Sequence, residues 1–274
     1  MKKEFTVLQQ ALQKAAEAVR RKFGKVGYEL KGKANLVTAA DLASQRAILA
    51  LIKKHFPQHD YLAEEGAVKS THAAYTWVID PLDGTTNFAH TFPQYSISVA
   101  LFHGNTPVLA GVSNPFSGET FLAQKGKGAT LNGEKIHVSQ TGTPSQALLV
   151  TGFPYNRFYH MPELINRFGL FLDACHDVRR LGSAALDLCW VAAGRLDGYW
   201  EESLQPWDVA AGTLILQEAG GRVTSFSAKP FGKINEYGQT LVASNGAIHA
   251  PMLRIIRQSQ RINRYGGPSL KRAH

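Results

Sequence analysis

The chain has 274 residues, of which 44% are hydrophobic and 19% are charged, and its formal net charge is +9. This composition and length are typical of a folded protein with one large or two small domains. The sequence has no apolar run near the roughly 20 residues that span a bilayer, so we expect a cytoplasmic protein. The two cysteines, Cys175 and Cys189, exclude a disulfide framework and a cysteine-based zinc site, and the positive charge favours an anionic partner of some kind.

The N-terminal part of the chain carries two helical patterns. Phe5, Leu8 and Leu12 recur at the spacing of one face of an amphipathic helix, and charges between them argue against a signal peptide. A second helix is predicted from Thr38 to Phe56, where Pro57 stops it.

Short β-type runs separated by turn residues extend from Tyr75 to Ser139. They include YSISVALF, TPVLAGVS and ETFLAQ, and the Asn132-Gly133 pair predicts a hairpin turn. We expect an antiparallel sheet here, backed by the two N-terminal helices.

A change of pattern between Ser139 and Gln146 predicts a domain boundary. Strands and helices alternate beyond it, which indicates α/β layers. We therefore expect an N-terminal α+β domain over residues 1–144 and a smaller C-terminal α/β domain over residues 145–274. The fold class is α+β or α/β, arranged as a layered αβαβα sandwich.

In the stretch TWVIDPLDGTTNF, Asp80 and Asp83 come directly after the apolar residues of a predicted strand. Burying carboxylates costs free energy unless a cation, an arginine or exposure in a turn offsets the cost. Pro81 cannot donate a ladder hydrogen bond, so we expect the strand to end there and the chain to turn. Gly84 would permit close backbone approach, and Thr85 would open a short helix with free N–H groups.

Two further acidic positions extend this pattern. Glu64 and Glu65 precede the strand, and Asp208 opens an apolar helix, where capping is its alternative role. A donor set of oxygens alone suits Mg²⁺ or Mn²⁺ better than zinc. The competing pattern is D-x-D-x-T of phosphatases with an aspartate nucleophile. Here the second aspartate comes one position later, which favours attack by water.

The stretches WVIDPLDGTTNFAH and WDVAAGTLILQEAGG resemble the two signatures of the inositol monophosphatase family, in the same order and separation. The segments NLVTAAD and GSAALDLCWVAAGRLDGYWE also match. The similarity runs from about Lys31 to Ser244, which is nearly the whole chain.

This resemblance implies a set of magnesium ligands. Glu64, Asp80 and the main-chain carbonyl of Leu82 would bind the first ion, and Asp80, Asp83 and Asp208 the second. A third, weaker ion would depend on Glu64 and water, and Mn²⁺ is expected to substitute for Mg²⁺.

The resemblance also implies catalytic and substrate-binding roles. Thr85, oriented by Asp41, would join Glu64 in activating the attacking water. The leaving group would lie on Gly182–Ala184 and Glu201, although Glu201 could instead be a surface acid. The full substrate-binding set is Asp83, Gly84, Thr85, Gly182, Ser183, Ala184, Glu201 and Asp208.

Lys31, Asn35 and three arginines stand at further positions to consider. Lys31 is similar to a basic residue near the active-site loop of relatives, and Asn35 stands where the family more often has aspartate. Arg179, Arg180 and Arg195 are candidates for a second phosphate or a substrate hydroxyl, with surface roles as the alternative.

The activity that the resemblance implies is Mg²⁺-dependent hydrolysis of inositol monophosphate to inositol and phosphate. Fructose 1,6-bisphosphate, or another sugar or nucleotide phosphate, is the alternative substrate within the family. Membership also leads us to expect competition by Li⁺ and a homodimer.

A regulatory binding protein is the alternative from another class. The C-terminal segment RIIRQSQRINRYGGPSLKR, with Arg257, Arg261 and Arg264, could engage RNA or an acidic face of the transcription machinery. No nucleic-acid motif accompanies it, and a solvated helix with a loose tail explains it as well. We expect at most an added role.

Overall fold

The computed structural model describes residues 1–25, 27–30, 36–155 and 157–264. Apolar residues on one face bury helix α1 (Lys2–Arg20) against the rest of the molecule, whereas α5 (Ala184–Ala192) and α6 (Pro206–Glu218) are apolar nearly all round because they are buried on most sides. The α-helices in these residues are α1 (Lys2–Arg20), α2 (Ala39–His55), α3 (Thr85–Ala89), α4 (Met161–Ala174), α5 (Ala184–Ala192), α6 (Pro206–Glu218) and α7 (His249–Arg264).

The strands of the described residues form three sheets. The smallest pairs β1 (Tyr28–Leu30) with β2 (Leu36–Thr38). The largest contains β3 (Asp60–Ala63), β4 (Val68–Lys69), β5 (Tyr75–Asp83), β6 (Ser96–His103), β7 (Thr106–Asn114), β8 (Glu119–Gln124), β9 (Ala129–Leu131) and β10 (Glu134–Lys135). The third contains β11 (Leu148–Thr151), β12 (Asp177–Arg179), β13 (Gly198–Glu202), β14 (Arg222–Thr224) and β15 (Thr240–Ser244).

The strand orders explain how the chain is layered. The eight-stranded sheet has the order β10-β9-β8-β7-β6-β5-β3-β4, and the five-stranded sheet has the order β12-β11-β13-β15-β14. Helices α1 and α2 cover the outer face of the larger sheet, and α5 with α6 fills the space between the sheets. Helices α4 and α7 cover the outer face of the smaller sheet. This is the predicted αβαβα sandwich.

Most local expectations from the sequence are confirmed. The helix predicted from Thr38 to Phe56 is α2, with Thr38 as its N-cap. Asn132 and Gly133 join β9 to β10 with φ angles of 50° and 91°, as a tight hairpin turn requires. The antiparallel sheet predicted from Tyr75 to Ser139 is confirmed for β5 to β10. Strand β3, which lies before that range, adds a parallel pair with β5. The boundary at residue 144 falls between the two large sheets and stays a prediction.

Strand β5 differs from its expected form at Pro81. The strand does not end there but continues to Asp83, with Asp80 opposite Ser98 and Asp83 opposite Ser96 on β6. Two residues of β5, Pro81 and Leu82, therefore lie opposite Ile97 alone, and no ladder hydrogen bond is required of Pro81 in this irregularity. The bulge carries both aspartates to the end of a buried strand.

Among the helices that the structure describes, none combines the length and the apolar character that crossing a membrane requires.

Candidate active site

A cavity of about 800 Å³ opens where β5 ends and where α5 and α6 begin. Of the site residues predicted from the sequence, all but Asp41 line this cavity. Those that line it are Glu64, Asp80, Leu82, Asp83, Gly84, Thr85, Gly182, Ser183, Ala184, Glu201 and Asp208. Residues from both large sheets therefore meet at one place.

Asp80 and Leu82 are fixed by short hydrogen bonds within the bulge. The Leu82 N–H donates to Oδ1 of Asp80 at 2.9 Å, and the Leu82 carbonyl accepts from Oγ1 of Thr85, also at 2.9 Å. Asp80 is only 1% exposed. The turn that follows needs glycine, since Gly84 has φ 85° and a Cβ there would lie 2.9 Å from the Gln94 carbonyl.

Asp83 is tied to the C-terminal part of the chain. Its Oδ2 accepts hydrogen bonds from Ser183 Oγ at 2.6 Å, from the Ala185 N–H at 2.9 Å and from Ser96 Oγ at 3.3 Å. Ser183 is the N-cap residue of α5, but its hydroxyl forms no capping bond to that helix. The serine instead orients the aspartate.

Asp41 lies behind the cavity wall, where it supports Thr85. Thr38 donates to Asp41 Oδ2 through its N–H at 2.8 Å and its hydroxyl at 2.6 Å. The N–H donation forms the capping box of α2 together with the Thr38 hydroxyl oxygen, which accepts from a backbone N–H of the first turn. Asp41 Oδ1 lies 3.2 Å from Thr85 Oγ1. Burial raises the pKa of Asp41.

Asp208 combines the two roles that its sequence position allowed. It occupies the third position of α6, where its Oδ2 accepts the Gln205 N–H at 2.7 Å, and it also lines the cavity. The cap holds the carboxyl group at the start of the helix, where the helix dipole favours negative charge.

The clustered carboxyl groups are unfavourable as anions on their own. Burial raises the pKa of Asp83, and it raises the pKa of Asp80 and Asp208 well above the usual range. Repulsion from Glu64, Asp83 and Asp208 adds to the pKa of Asp80. Positive charge supplied at this point would reverse the effect.

The residues fit a hard divalent cation in chemistry, because every side-chain donor is a carboxylate oxygen. Their present arrangement is not a finished ligand shell. Among the residues that the structure describes, no group of three or more Asp, Glu, His or Cys side chains is arranged to hold a metal ion. Asp80, Asp83 and Asp208 each direct an oxygen to a protein donor instead.

Glu201 brings a separate carboxyl group to the cavity from β13. Its Oε2 accepts a hydrogen bond of 2.5 Å from the Tyr199 hydroxyl. Burial raises the pKa of Glu201 to about 7, while the Tyr199 hydrogen bond and the positive charge of Arg180 act in the opposite direction. This carboxyl group can accept hydrogen bonds from a ligand's hydroxyls.

Comparison with known proteins decides the family. A sequence model of the inositol monophosphatase family matches residues 1–261. The chain belongs to the inositol monophosphatase family. It is 38% identical over 254 residues to inositol-1-monophosphatase of Caulobacter vibrioides, a match that covers 90% of this chain and 98% of that relative.

Other relatives of this inositol monophosphatase family member carry different names. Phosphatase IMPL1, chloroplastic, of Arabidopsis thaliana is 44% identical over 233 residues, which is 82% of this chain but only 62% of that protein. Nus factor SuhB of Vibrio cholerae is 43% identical over 205 residues, covering 74% of this chain and 76% of that protein. The solved inositol monophosphatase from Anabaena (Nostoc) sp. has a TM-score of 0.84 and 38% identity, and covers 94% of this chain and 96% of that one.

The basic residues named from the sequence have separate places in this family member. Arg180 lines the cavity, whereas Arg179 pairs with Asp177 and Arg195 pairs with Glu119 at 2.5 Å. Lys31 and Asn35 lie outside the described residues.

Two buried or linking residues near the site were missed in the sequence. Asn87 Nδ2 donates to the Gln94 carbonyl at 2.6 Å and to the Leu181 carbonyl at 2.7 Å, so it fastens the loop before α5 to α3. Asp187 on α5 is 1% exposed, and burial raises its pKa well above the usual range, with Glu201 adding to the rise. Asn87 stands in the quoted signature, but no local pattern reveals partners so far along the chain.

Proposed function

We propose that the protein is a metal-dependent phosphomonoesterase that hydrolyses inositol monophosphate to inositol and phosphate by attack of water. The observation that carries this proposal is the meeting of Glu64, Asp80, Asp83 and Asp208 in one cavity with Glu201. A metal-binding acidic cluster suits a phosphate, and a separate carboxyl group suits a polyol. Relatives named inositol-1-monophosphatase support this choice of substrate.

The cation is proposed to be Mg²⁺, bound as two ions with a third, weaker one, and Mn²⁺ is expected to substitute. Glu64, Asp80 and the Leu82 carbonyl would hold the first ion, and Asp80, Asp83 and Asp208 the second, while Glu64 would support the third. Ions bound there supply positive charge that offsets the crowded carboxylates and stabilises negative charge on the phosphate.

Thr85 and Glu64 are proposed to act on the attacking water. The single proton of the Thr85 hydroxyl can point to the Leu82 carbonyl at 2.9 Å or to Asp41 at 3.2 Å. In either case a lone pair on Oγ1 is free to orient the water. Glu64 takes up a proton from the water as the water oxygen bonds to phosphorus. The bond from phosphorus to the inositol oxygen breaks, and that oxygen takes up a proton from solvent water as inositol leaves.

The inositol ring is proposed to lie against Gly182, Ser183, Ala184 and Glu201, with Asp83, Gly84, Thr85 and Asp208 beside the phosphate. Helix α5 begins at Ala184, so backbone N–H groups of its first turn are available near the cavity. Glu201 would accept hydrogen bonds from adjacent ring hydroxyls, which fixes the orientation of the leaving group.

The direct test measures phosphate release from inositol 1-phosphate with and without Mg²⁺, in the wild type and in Asp83→Asn. We expect release only with Mg²⁺ and a nearly inactive variant. Activity that survives Asp83→Asn would remove the mechanism. A parallel panel with fructose 1,6-bisphosphate, histidinol phosphate and a nucleotide monophosphate tests the substrate, and a preference above about tenfold for one of these would reassign it.

Further properties belong to the same proposal: competition by Li⁺ for a cation position, a homodimer, a cytoplasmic location, and the two domains over residues 1–144 and 145–274. Titration of Li⁺ at fixed Mg²⁺ tests the first. Light scattering of the purified protein tests the second.

An added role at the transcription machinery is a second candidate, because a relative is named Nus factor SuhB. In this chain, α7 exposes Arg254 and Arg257, and the side chains of Arg261 and Arg264 lie outside the described part. Charge reversal at Arg257, Arg261 and Arg264 should abolish salt-dependent RNA binding if this role exists. Absence of any RNA binding by the wild type near physiological salt would count against it.

A further inference from the structure

Glu201 places its carboxyl group where the side chain of a neighbouring residue would otherwise lie. Strands β11 and β13 are parallel, with Thr151 opposite Trp200, so Gly152 follows beside Glu201. A Cβ atom on Gly152 would lie 2.0 Å from Oε2 and 2.3 Å from both Cδ and Oε1 of Glu201. Side-chain contacts of that length do not occur, so this position of the carboxyl group requires glycine at 152.

Tyr199 holds the same carboxyl group from its own strand. Residues two apart on a strand share a face, and Tyr199 and Glu201 do so on β13. The Tyr199 hydroxyl donates to Oε2 at 2.5 Å, and the ring is fully buried. A buried hydroxyl of this kind needs a partner, and Glu201 supplies it. A carboxylate can accept about four hydrogen bonds, so Tyr199 leaves acceptor capacity for a ligand in the cavity.

We propose that Gly152 and Tyr199 are positioning residues that together set the Glu201 carboxyl group for the hydroxyls of a polyol leaving group. Gly152 leaves the space that the carboxyl group occupies, and Tyr199 fixes its orientation. The pair thereby selects polyol phosphates over phosphate esters that lack adjacent hydroxyls. This inference rests on the proposed function, because it assigns the specificity of that same cavity.

The physical basis of the selection is the buried acceptor. A site built to bind hydroxyls rejects a substrate without them, because its polar group is then left unpaired. An aryl phosphate such as p-nitrophenyl phosphate offers no such hydroxyls, so its hydrolysis should not depend on where Glu201 points. The two substrates therefore separate positioning of the polyol from the chemistry of the phosphate.

The experiment compares Gly152→Ala, Tyr199→Phe and Glu201→Ala with the wild type, with Gly142→Ala as the matched control. A Cβ at Gly142 meets no atom within 4 Å, and that residue is exposed. We measure kcat and KM with Mg²⁺ for inositol 1-phosphate and for p-nitrophenyl phosphate. Gly152→Ala should raise KM for inositol 1-phosphate about tenfold, and Tyr199→Phe about threefold. These changes correspond to the loss of binding free energy expected when a hydrogen bond to a charged group is misplaced. In Gly152→Ala and Tyr199→Phe, kcat/KM should fall less for p-nitrophenyl phosphate than for inositol 1-phosphate, whereas Gly142→Ala should match the wild type on both substrates.

A double-mutant cycle tests whether Gly152 acts through Glu201. In the Glu201→Ala background, Gly152→Ala should cause no further loss, because the carboxyl group that it displaces is gone. A further loss in that background, an equal loss on both substrates, or an unchanged KM in both Gly152→Ala and Tyr199→Phe would overturn the inference. Measurements on the wild type test the proposed function separately. If the wild type hydrolyses p-nitrophenyl phosphate but not inositol 1-phosphate, the substrate assignment is wrong, and this inference is then wrong as well.

Discussion

The hydroxyl of Ser183 donates a hydrogen bond of 2.6 Å to Oδ2 of Asp83, across a separation of 100 residues. Ser183 is buried and Asp83 is half-buried, and the Ala185 N–H donates to the same oxygen at 2.9 Å. The first turn of α5 therefore fixes a carboxyl group that belongs to the other large sheet. This contact joins the two halves of the candidate site.

Replacing Ser183 should impair the site without unfolding α5. Ser183→Ala removes a short hydrogen bond to an acidic group, so kcat/KM for inositol 1-phosphate should fall about tenfold. Helix content should not change, because the hydroxyl forms no capping bond. Ser96→Ala is the matched comparison, and its smaller loss should follow from its longer contact of 3.3 Å. Equal losses in the two variants would contradict this role.

Asp80→Asn should stabilise the metal-free protein while abolishing activity. Burial and three neighbouring carboxyl groups raise the pKa of Asp80 well above its usual range, so a neutral side chain removes an unfavourable charge. We expect a gain of about 1–3 kcal/mol in the free energy of unfolding in EDTA. Urea unfolding with and without Mg²⁺ measures this. The wild type should be stabilised by Mg²⁺ through preferential binding to the folded state, and the variant much less. A variant less stable than the wild type in EDTA would count against this account.

Thr85→Val should lower kcat with little effect on KM. The change keeps the shape of the side chain but removes the hydroxyl that lies 3.2 Å from Asp41 and 2.9 Å from the Leu82 carbonyl. Loss of a group that orients the attacking water should cost about 10²–10³ in kcat. Thr85→Ser keeps the hydroxyl and should remain within about tenfold of the wild type. If Thr85→Ser is as inactive as Thr85→Val, packing and not the hydroxyl is responsible.

The side-chain amide of Asn87 should be required as a hydrogen-bond donor for stability and activity. Its amide nitrogen reaches the Gln94 and Leu181 carbonyls at 2.6 Å and 2.7 Å. Asn87→Ala should reduce stability by about 1–2 kcal/mol and loosen the loop that carries Gly182. Asn87→Asp should be worse, although it has the same shape, because a carboxylate has no proton to donate to two carbonyls. Urea unfolding and kcat/KM check both variants, and an aspartate variant that behaves like the wild type would refute the donor role.

Glu201 should give the metal-free protein a defined pH dependence. Its pKa is about 7 in the folded state against 4.5 as the ordinary value, so the folded state keeps a proton that the unfolded state releases. The stabilising contribution is therefore complete below about pH 4.5 and is lost as the pH rises through about 7. Glu201→Gln should remove up to about 3 kcal/mol of this dependence. Urea unfolding in EDTA from about pH 5 to pH 8 measures it, and Glu134→Gln, at an exposed position, serves as control. If stability changes with pH by the same amount in the wild type, Glu201→Gln and Glu134→Gln, the assignment is contradicted.

Local signals in the sequence were sufficient for the helix starts and for the type of most elements. The Thr38–Asp41 capping box and Pro206 mark helix starts through contacts within one turn, and apolar spacing reports which face is buried. The acidic signatures likewise named the residues that line the cavity, because each is a short run along the chain. The parallel pairing of β3 with β5 was missed, since strand direction depends on a partner elsewhere.

By itself the sequence determined the chemistry available: oxygen donors in a known order, on strands and helices whose type follows from local spacing. Only the tertiary structure decided how these groups face one another. Three features depend on residues that are distant along the chain. These are the bulge at Pro81, the three donors to Asp83, and the space over Gly152 that Glu201 fills. Such contacts arise when buried sheets and helices pack at van der Waals distance, and packing of that kind leaves no periodic trace in a linear pattern.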